Sequence, residues 1–157
     1  MVLFANQRGG CAYIGMVHLR ALPGTPGSVL GPQEILDLAL VDAEILVSGG
    51  VDALLIENMG DLPYLCGGVG PEIVSCMSLA VYEISRRYSV PVGLQILAGA
   101  NMEAMAVASC CGADFIRAEA FAYAHVADEG LMNASAGEVL RYRRRLGSGV
   151  KVWSDVQ

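Results

Sequence analysis

Short apolar runs alternate along this chain with longer segments whose apolar residues recur every three to four positions. The runs predict five strands, at 13–19, 53–58, 92–97, 114–119 and 151–155. The periodic segments predict helices at 32–48, 71–87 and 102–111, and a fourth, arginine-bearing helix after Ser135. Pro32 and Pro71 stand in first helical turns, and Gly49 with Gly50 ends the first helix. The pattern is therefore a regular alternation of strand and helix.

This alternation favours parallel strands, because each helix returns the chain to the same end of the sheet. Eight units of about 30 residues would make the usual barrel of about 250 residues. An internal repeat supports a barrel, since residues 50–52 and 112–114 each precede a strand with a glutamate seven positions after the glycine. We predict an α/β fold of the (β/α)8 TIM-barrel type, incomplete after about five units. An open doubly wound sheet is the alternative.

One domain boundary follows from this interpretation. Residues 1–12 are expected to form an N-terminal extension, and residues 13–157 a partial barrel domain. The last two residues follow directly after a predicted strand, with no covering helix. We therefore expect the chain to be truncated.

Polar side chains stand at the C-terminal ends of all five predicted strands. In parallel barrels these ends form one rim, where active sites lie. Imidazole and carboxylate groups at such a rim can transfer protons. We predict catalytic roles for His18, Glu57, Glu119 and Asp155. We predict substrate-binding roles for Asn58, Asp61, Gln95 and Arg117.

Five of these residues also have a structural explanation. His18 could be a satisfied core histidine, and Asp155 a frayed terminus. Arg117 lies two positions before Glu119, on the same face of a regular strand, so the two could form a structural ion pair. Gln95 could simply complete a layer of hydrogen bonds. These alternatives stay open at the level of the sequence.

The loops add further polar groups around the same rim. His125, Asp128 and Glu129 follow the fourth predicted strand, where solvation is the usual explanation for polar residues. Together with Asp61, such groups suit a divalent cation, or they could serve as general acids and bases. The spacing does not choose between a metal and acid–base chemistry, so the cofactor is unknown.

Composition narrows the class of protein. A net charge of −6 and a pI near 4.8 argue against nucleic-acid binding. One basic cluster, at 141 and 143–145, is interpreted as the last turn of a helix, with an anion or partner contact as the alternative. Buried parallel strands explain the 54% hydrophobic content, and no apolar run reaches the length of about 20 residues that spans a bilayer.

Cysteine usage and the first residues indicate the compartment. The five cysteines include no Cys-x-x-Cys pair, so neither a disulfide framework nor a zinc site is predicted. Residues 1–10 lack the apolar core of a secretion signal. We therefore expect the cytoplasm or the mitochondrial matrix, and not secretion. The sequence contains neither a P-loop nor a nucleophile elbow.

Four ordered motifs resemble the BtpA family, which includes SgcQ-like proteins. They are GMVHLRALPG at 15–24, GGVDALLIEN at 49–58, VGPE at 69–72, and LRYR at 140–143 followed by LG. The resemblance implies a fold similar to the phosphate-binding barrels and a barrel that continues past Gln157. The founding cyanobacterial member is associated with photosystem I accumulation, and no established reaction comes with the resemblance. Residues 94–101 and 117–119 depart from the bacterial pattern, and the former resemble animal members.

Three hypotheses follow. The first is an enzyme or binder that acts at the rim on a small polar metabolite, phosphorylated or not. The second is a non-catalytic assembly factor of the kind that the founding member suggests. The third is a truncated, non-functional form, which we expect to dimerise, aggregate or be partly disordered when expressed alone. For the full-length protein we expect a homo-oligomer with a small-molecule ligand.

Overall fold

The computed structural model describes residues 11–155, and its elements follow the predicted alternation. Their order along the chain is β1 (Ile14–His18), α1 (Pro32–Ser48), β2 (Ala53–Glu57), α2 (Pro71–Arg87), β3 (Val92–Gln95), α3 (Asn101–Cys111), β4 (Phe115–Ala118), β5 (His125–Ala127), β6 (Gly130–Met132), α4 (Ala136–Arg145) and β7 (Lys151–Ser154). The predicted extension at 1–12 falls mostly outside the described residues, and the domain boundary stays a prediction.

Five of the strands form one parallel sheet. Its order is β1-β2-β3-β4-β7, so neighbours in space are also successive strands of the sheet along the chain. A doubly wound sheet would reverse its order at a switch point, and this sheet does not. The order is that of a barrel wall, which confirms the predicted α/β barrel type with about five units.

The two faces of the sheet carry different side chains. The outer face, with Val17, Leu54, Ile56 and Leu94, belongs to the large core formed with the helices. The inner face carries a smaller apolar cluster of Ile14, Met16, Ala53, Leu55, Phe115 and Trp153. Because side chains alternate along a strand, the residues two positions beyond this inner set also face inward, at the C-terminal rim.

The repeated Gly-x-Asp motif has a structural role at the opposite end of the sheet. Asp52 Oδ2 accepts a hydrogen bond of 2.7 Å from the backbone N–H of Tyr13, just before β1. Asp114 Oδ2 accepts one of 2.9 Å from the backbone N–H of Val92, at the start of β3. Each aspartate thus ties the start of its own strand to that of a neighbour.

The glycine at position 93, on β3, leaves room for the inner aromatic pair. Phe115 is fully buried, and its ring stacks on Trp153 with centroids 3.8 Å apart and planes 22° from parallel. A Cβ atom at Gly93 would overlap the Phe115 ring. The glycine therefore lets Phe115 lie against β3 while it packs on β7.

The segment between β4 and α4 differs from the predicted polar loop. It contains an antiparallel hairpin, in which β5 pairs with β6 and His125 lies opposite Met132. Val126 and Leu131 point largely to solvent. Each strand of the hairpin has only three residues and no continuous buried face. The sequence of the hairpin therefore lacks a recognisable strand pattern.

Two further expectations concern the helices and cysteines. Arg143, Arg144 and Arg145 occupy the last turn of α4, as predicted for the basic cluster, whereas Arg141 lies earlier in the helix. All five cysteines are free thiols. Across residues 11–155, no helix combines the length and the apolar character that crossing a bilayer requires.

Substitution of Gly93 by Ala should lower the free energy of unfolding by about 1–3 kcal/mol, because the added methyl group overpacks the site of the Phe115 ring. Equilibrium urea unfolding measures the change. Gly149→Ala is the control, since nothing lies within 4 Å of the position its Cβ would take. Equal stability of Gly93→Ala and the unsubstituted chain would show that Phe115 is not confined as described.

Candidate functional site

Glu57 lies at the centre of the rim, at the last position of β2. Only 3% of the residue is exposed. Its Oε2 atom lies 3.4 Å from His18 Nε2 on β1, the strand that pairs with it. Its Oε1 atom accepts a hydrogen bond of 3.3 Å from Arg117 Nη1 on β4, which reaches across the intervening β3. A buried carboxylate therefore sits between an imidazole and a guanidinium group.

Arg117 connects Glu57 to the far side of the sheet. Its Nη2 and Nε atoms lie 2.9 Å and 3.0 Å from Asp155 Oδ1, just after β7. The four side chains His18, Glu57, Arg117 and Asp155 thus form a continuous polar chain along the rim. The alternative in which Arg117 forms an ion pair with Glu119 was wrong. Strand β4 ends at Ala118, and Arg117 pairs with Glu57 and Asp155 instead.

The environment of Glu57 changes its acidity. Burial raises the pKa of Glu57, and the charges of Arg117 and His18 oppose this increase without cancelling it. His18, Arg117 and Asp155 are each about 40–50% exposed in their side chains, so the rim opens to solvent above a buried carboxyl group. A buried carboxyl group with a raised pKa can serve as a general acid or base.

Gln95 is the inward-facing rim residue on β3, in register with Glu57. It is 3% exposed, and its Oε1 atom is buried without a hydrogen-bond partner among the described residues. The expectation that Gln95 merely completes a hydrogen-bond layer is therefore not met at Oε1. Since a buried acceptor without a partner costs free energy, this atom is a candidate for contact with a ligand.

Glu119 faces a different set of neighbours. Its backbone N–H donates to Asn101 Oδ1 at 3.2 Å, and its carbonyl accepts from Asn101 Nδ2 at 2.6 Å. Burial raises the pKa of Glu119, and the charge of Glu129 raises it further. The Oε2 atom is buried without a partner among the described residues, beside a cavity of about 430 Å³ that Asn101 and Ser135 also line.

Asn58 and Asp61 hold three loops together. Asn58 Oδ1 accepts from the backbone N–H of Leu97 at 2.7 Å, and Asn58 Nδ2 donates to Asp61 Oδ2 at 2.8 Å. Asp61 Oδ1 accepts from the backbone N–H of Leu22 at 2.7 Å. Both residues are buried, and both line a second cavity of about 210 Å³. Their structural role is clear, and their predicted role in substrate binding stays a prediction.

Sequence reasoning missed two residues near these groups. Asn101, the first residue of α3, is buried and also donates to Ser135 Oγ at 2.8 Å. Tyr64 lines the smaller cavity and donates from its hydroxyl to the Met59 carbonyl at 2.9 Å. Neither residue ends a strand. The only available signal for Asn101 was an amide at the start of a helix.

A metal site is not assembled by the described residues. Within residues 11–155, no group of three His, Cys, Asp or Glu side chains is placed so that it could hold a metal ion. The divalent cation that the sequence left as one alternative therefore has no ready set of ligands here. His125, Asp128 and Glu129 belong to the hairpin, where Ala127 pairs with Gly130.

Glu57→Gln should change how stability depends on pH. The folded-state pKa of Glu57 lies above its ordinary value of 4.5, so the folded protein holds this proton more tightly than the unfolded chain. The contribution to stability is full below pH 4.5 and is lost as the pH rises through the folded pKa. Gln cannot titrate, so the variant should lack this component.

Urea unfolding of both proteins between about pH 4 and 8 measures the difference in slope. Glu34→Gln is the control, because Glu34 is exposed in the first turn of α1 and a glutamine can keep its capping bond to Gly31. Parallel stability curves for Glu57→Gln and the unsubstituted chain would contradict the assignment.

Comparisons with known proteins agree with this architecture. The family model described as the BtpA family matches residues 11–157. An uncharacterized mitochondrial protein of Caenorhabditis elegans is 46% identical over 149 residues, covering 91% of this chain and 54% of that protein. The photosystem I biogenesis protein BtpA of Synechocystis is 38% identical, covering 99% and 54%. The chain thus spans about half the length of these relatives.

Solved structures show the same fold at low sequence identity. Dihydropteroate synthase from Vibrio fischeri matches with a TM-score of 0.59 and 17% identity, covering 97% of this chain and 46% of that one. The Yersinia pestis enzyme matches with a TM-score of 0.55 and 17% identity, covering 90% and 44%. With the family match over nearly its whole length, the chain belongs to the BtpA family.

Proposed function

We propose that the rim binds and transforms a small polar metabolite, with Glu57 as the residue that transfers a proton. One observation carries the proposal: a buried carboxyl group lies between His18 and Arg117 at the C-terminal ends of parallel strands. Burial of a carboxylate costs free energy unless it is compensated, and here the compensation is partial because the pKa of Glu57 remains raised. Such a group is suited to acid–base chemistry.

The neighbouring side chains have distinct roles in this proposal. His18 is half-exposed at 3.4 Å from Glu57, where it can exchange a proton with solvent or ligand. Arg117 has five N–H donors, and those left after its contacts to Glu57 and Asp155 can bind a carboxylate or phosphate group. Asp155 holds the guanidinium in place. Gln95 Oε1 would accept a hydrogen bond from a ligand hydroxyl or N–H group.

Glu119 is proposed as a second acid–base group on the loop side of the rim. Its partnerless Oε2 atom and raised pKa suit a proton donor, and the cavity beside it can admit part of a ligand. Asn58 and Asp61 position the loops that frame this space. For the whole protein we also propose a homo-oligomer that is located in the cytoplasm or the mitochondrial matrix.

An assembly function is the second candidate. The Synechocystis relative, named a photosystem I biogenesis protein, is 38% identical to this chain. On α1, Leu38, Val41 and Ile45 are exposed at spacings that place them along one side of the helix. Exposed apolar residues on one helix face are suited to a protein partner. This function would use the outer surface and tolerate substitutions at the rim.

Ligand retention separates the two functions. Native mass spectrometry with elemental analysis on gently purified protein should find a bound small molecule, and Glu57→Gln or Arg117→Met should lower its occupancy at least about tenfold. Arg117→Lys should retain part of the binding, because it keeps the charge but not the forked geometry. Glu34→Gln is the control and should retain full occupancy.

Thermal unfolding of the same variants distinguishes a loss of ligand binding from a loss of folding. If Glu57→Gln destabilised the protein strongly while the ligand stayed bound, the rim would be structural. If the purified protein carried no small molecule but held a protein partner that survived the rim substitutions, the assembly function would be favoured.

A further inference from the structure

A second cavity lies beside the rim, between the loop after β1 and the loop after β2. Its volume is about 210 Å³. The lining contains two carboxylates, Asp61 and Glu72, and no Lys, Arg or His among the described residues. The remaining walls are mostly apolar and include Pro26, Pro63, Leu65, Val69, Ile73 and Leu97. The cavity therefore combines an apolar body with negative charge.

Asp61 is buried, and none of the described residues supplies a cationic partner for it. It is 6% exposed, and its two oxygens accept hydrogen bonds from neutral groups, the backbone N–H of Leu22 and the amide of Asn58. In the part of the chain that the structure describes, it forms no ion pair. Burial raises the pKa of Asp61 despite these hydrogen bonds. Glu57, in contrast, has both His18 and Arg117 beside it.

Glu72 adds a second carboxylate at the edge of the same cavity. It stands in the first turn of α2, and its side chain lies against two glycines. A Cβ atom at Gly24 would be 3.1 Å from Glu72 Cγ, and one at Gly70 would overlap the carboxylate. The glycines thus allow the backbone of both loops to approach Glu72. A cation in the cavity would face carboxylates from two different elements.

The volume indicates the size of the group that the cavity can hold. A dry engineered cavity of about 150 Å³ accepts benzene, so about 210 Å³ has room for one ring and one or two further atoms. The walls favour the burial of an apolar group, and the Asp61 carboxylate, which accepts hydrogen bonds from neutral donors but has no cationic partner among the described residues, favours a positive charge beside it. An anion would be repelled by both Asp61 and Glu72.

We infer that this cavity binds a small organic cation, in which an apolar ring or branched alkyl group carries a protonated amine that pairs with Asp61 and faces Glu72. This site is distinct from the rim, where Arg117 is suited to anionic groups. The inference therefore goes beyond the proposed function and does not require a reaction at Glu57.

Three probes of nearly equal size test the charge preference: benzylammonium, benzyl alcohol and benzoate. Titration of ¹⁵N-labelled protein, followed by amide chemical shifts, should show benzylammonium binding at least about tenfold more tightly than benzyl alcohol, since a charged pair outweighs a neutral hydrogen bond. Benzoate should bind more weakly than either. The largest shifts should come from the amides of Leu65, Val69 and Ile73.

Variants connect the preference to particular residues. Asp61→Asn keeps an oxygen that can accept from Leu22 but loses the acceptor for Asn58 Nδ2, and it should reduce benzylammonium binding to the level of benzyl alcohol. Glu72→Gln should weaken benzylammonium about two- to threefold and leave benzyl alcohol unchanged. Glu34→Gln, also in the first turn of a helix but outside the cavity, should change neither. Glu57→Gln should also leave the cavity unaffected, which separates this inference from the proposed function.

Several outcomes would overturn the inference. Equal affinity for benzylammonium and benzyl alcohol, tighter binding of benzoate, or no shift at the cavity with any probe would each do so. If Asp61→Asn fails to fold, the three probes and the Glu72→Gln variant still test the inference. If both Glu72→Gln and a folded Asp61→Asn variant kept the full preference for benzylammonium, the preference would come from other residues.

Discussion

Backbone hydrogen bonding between parallel strands is the constraint on which the site depends. The register places His18 opposite Glu57 and Glu57 opposite Gln95, so one polar residue from each of three strands lies at the same height. A shift of one residue in any strand would turn its polar end outward among the helices. The inner apolar cluster, with Phe115 stacked on Trp153, holds the sheet in this register from below.

Two buried carboxylates illustrate how this protein handles charge. Glu57 is placed within reach of an imidazole and a guanidinium group, which lower the free-energy cost of its ionisation. Among the described residues, Asp61 accepts hydrogen bonds from neutral donors, and these bonds connect the loop after β1 with the loop after β2. The first arrangement suits a group that changes its protonation during a reaction. The second arrangement suits a fixed structural carboxylate whose charge a bound cation would stabilise.

The sheet separates the rim and the neighbouring cavity from the outer surface of the helices. Rim and cavity lie where strands end and loops begin, as in other parallel barrels. The exposed apolar residues of α1 lie on the other side of the outer core.

Local signals in the sequence determined the elements. Pro32–Ser48 and Pro71–Arg87 are the predicted helices, and each strand of the sheet lies within its predicted range, because periodicity, proline and glycine act over a few residues. The polar residues at strand ends followed in the same way. Tertiary structure decided their partners: Arg117 meets Glu57 across 60 positions and Asp155 across 38, and β4 ends before Glu119. It also decided the burial of Asp61 and the hairpin, since packing between distant segments has no local pattern.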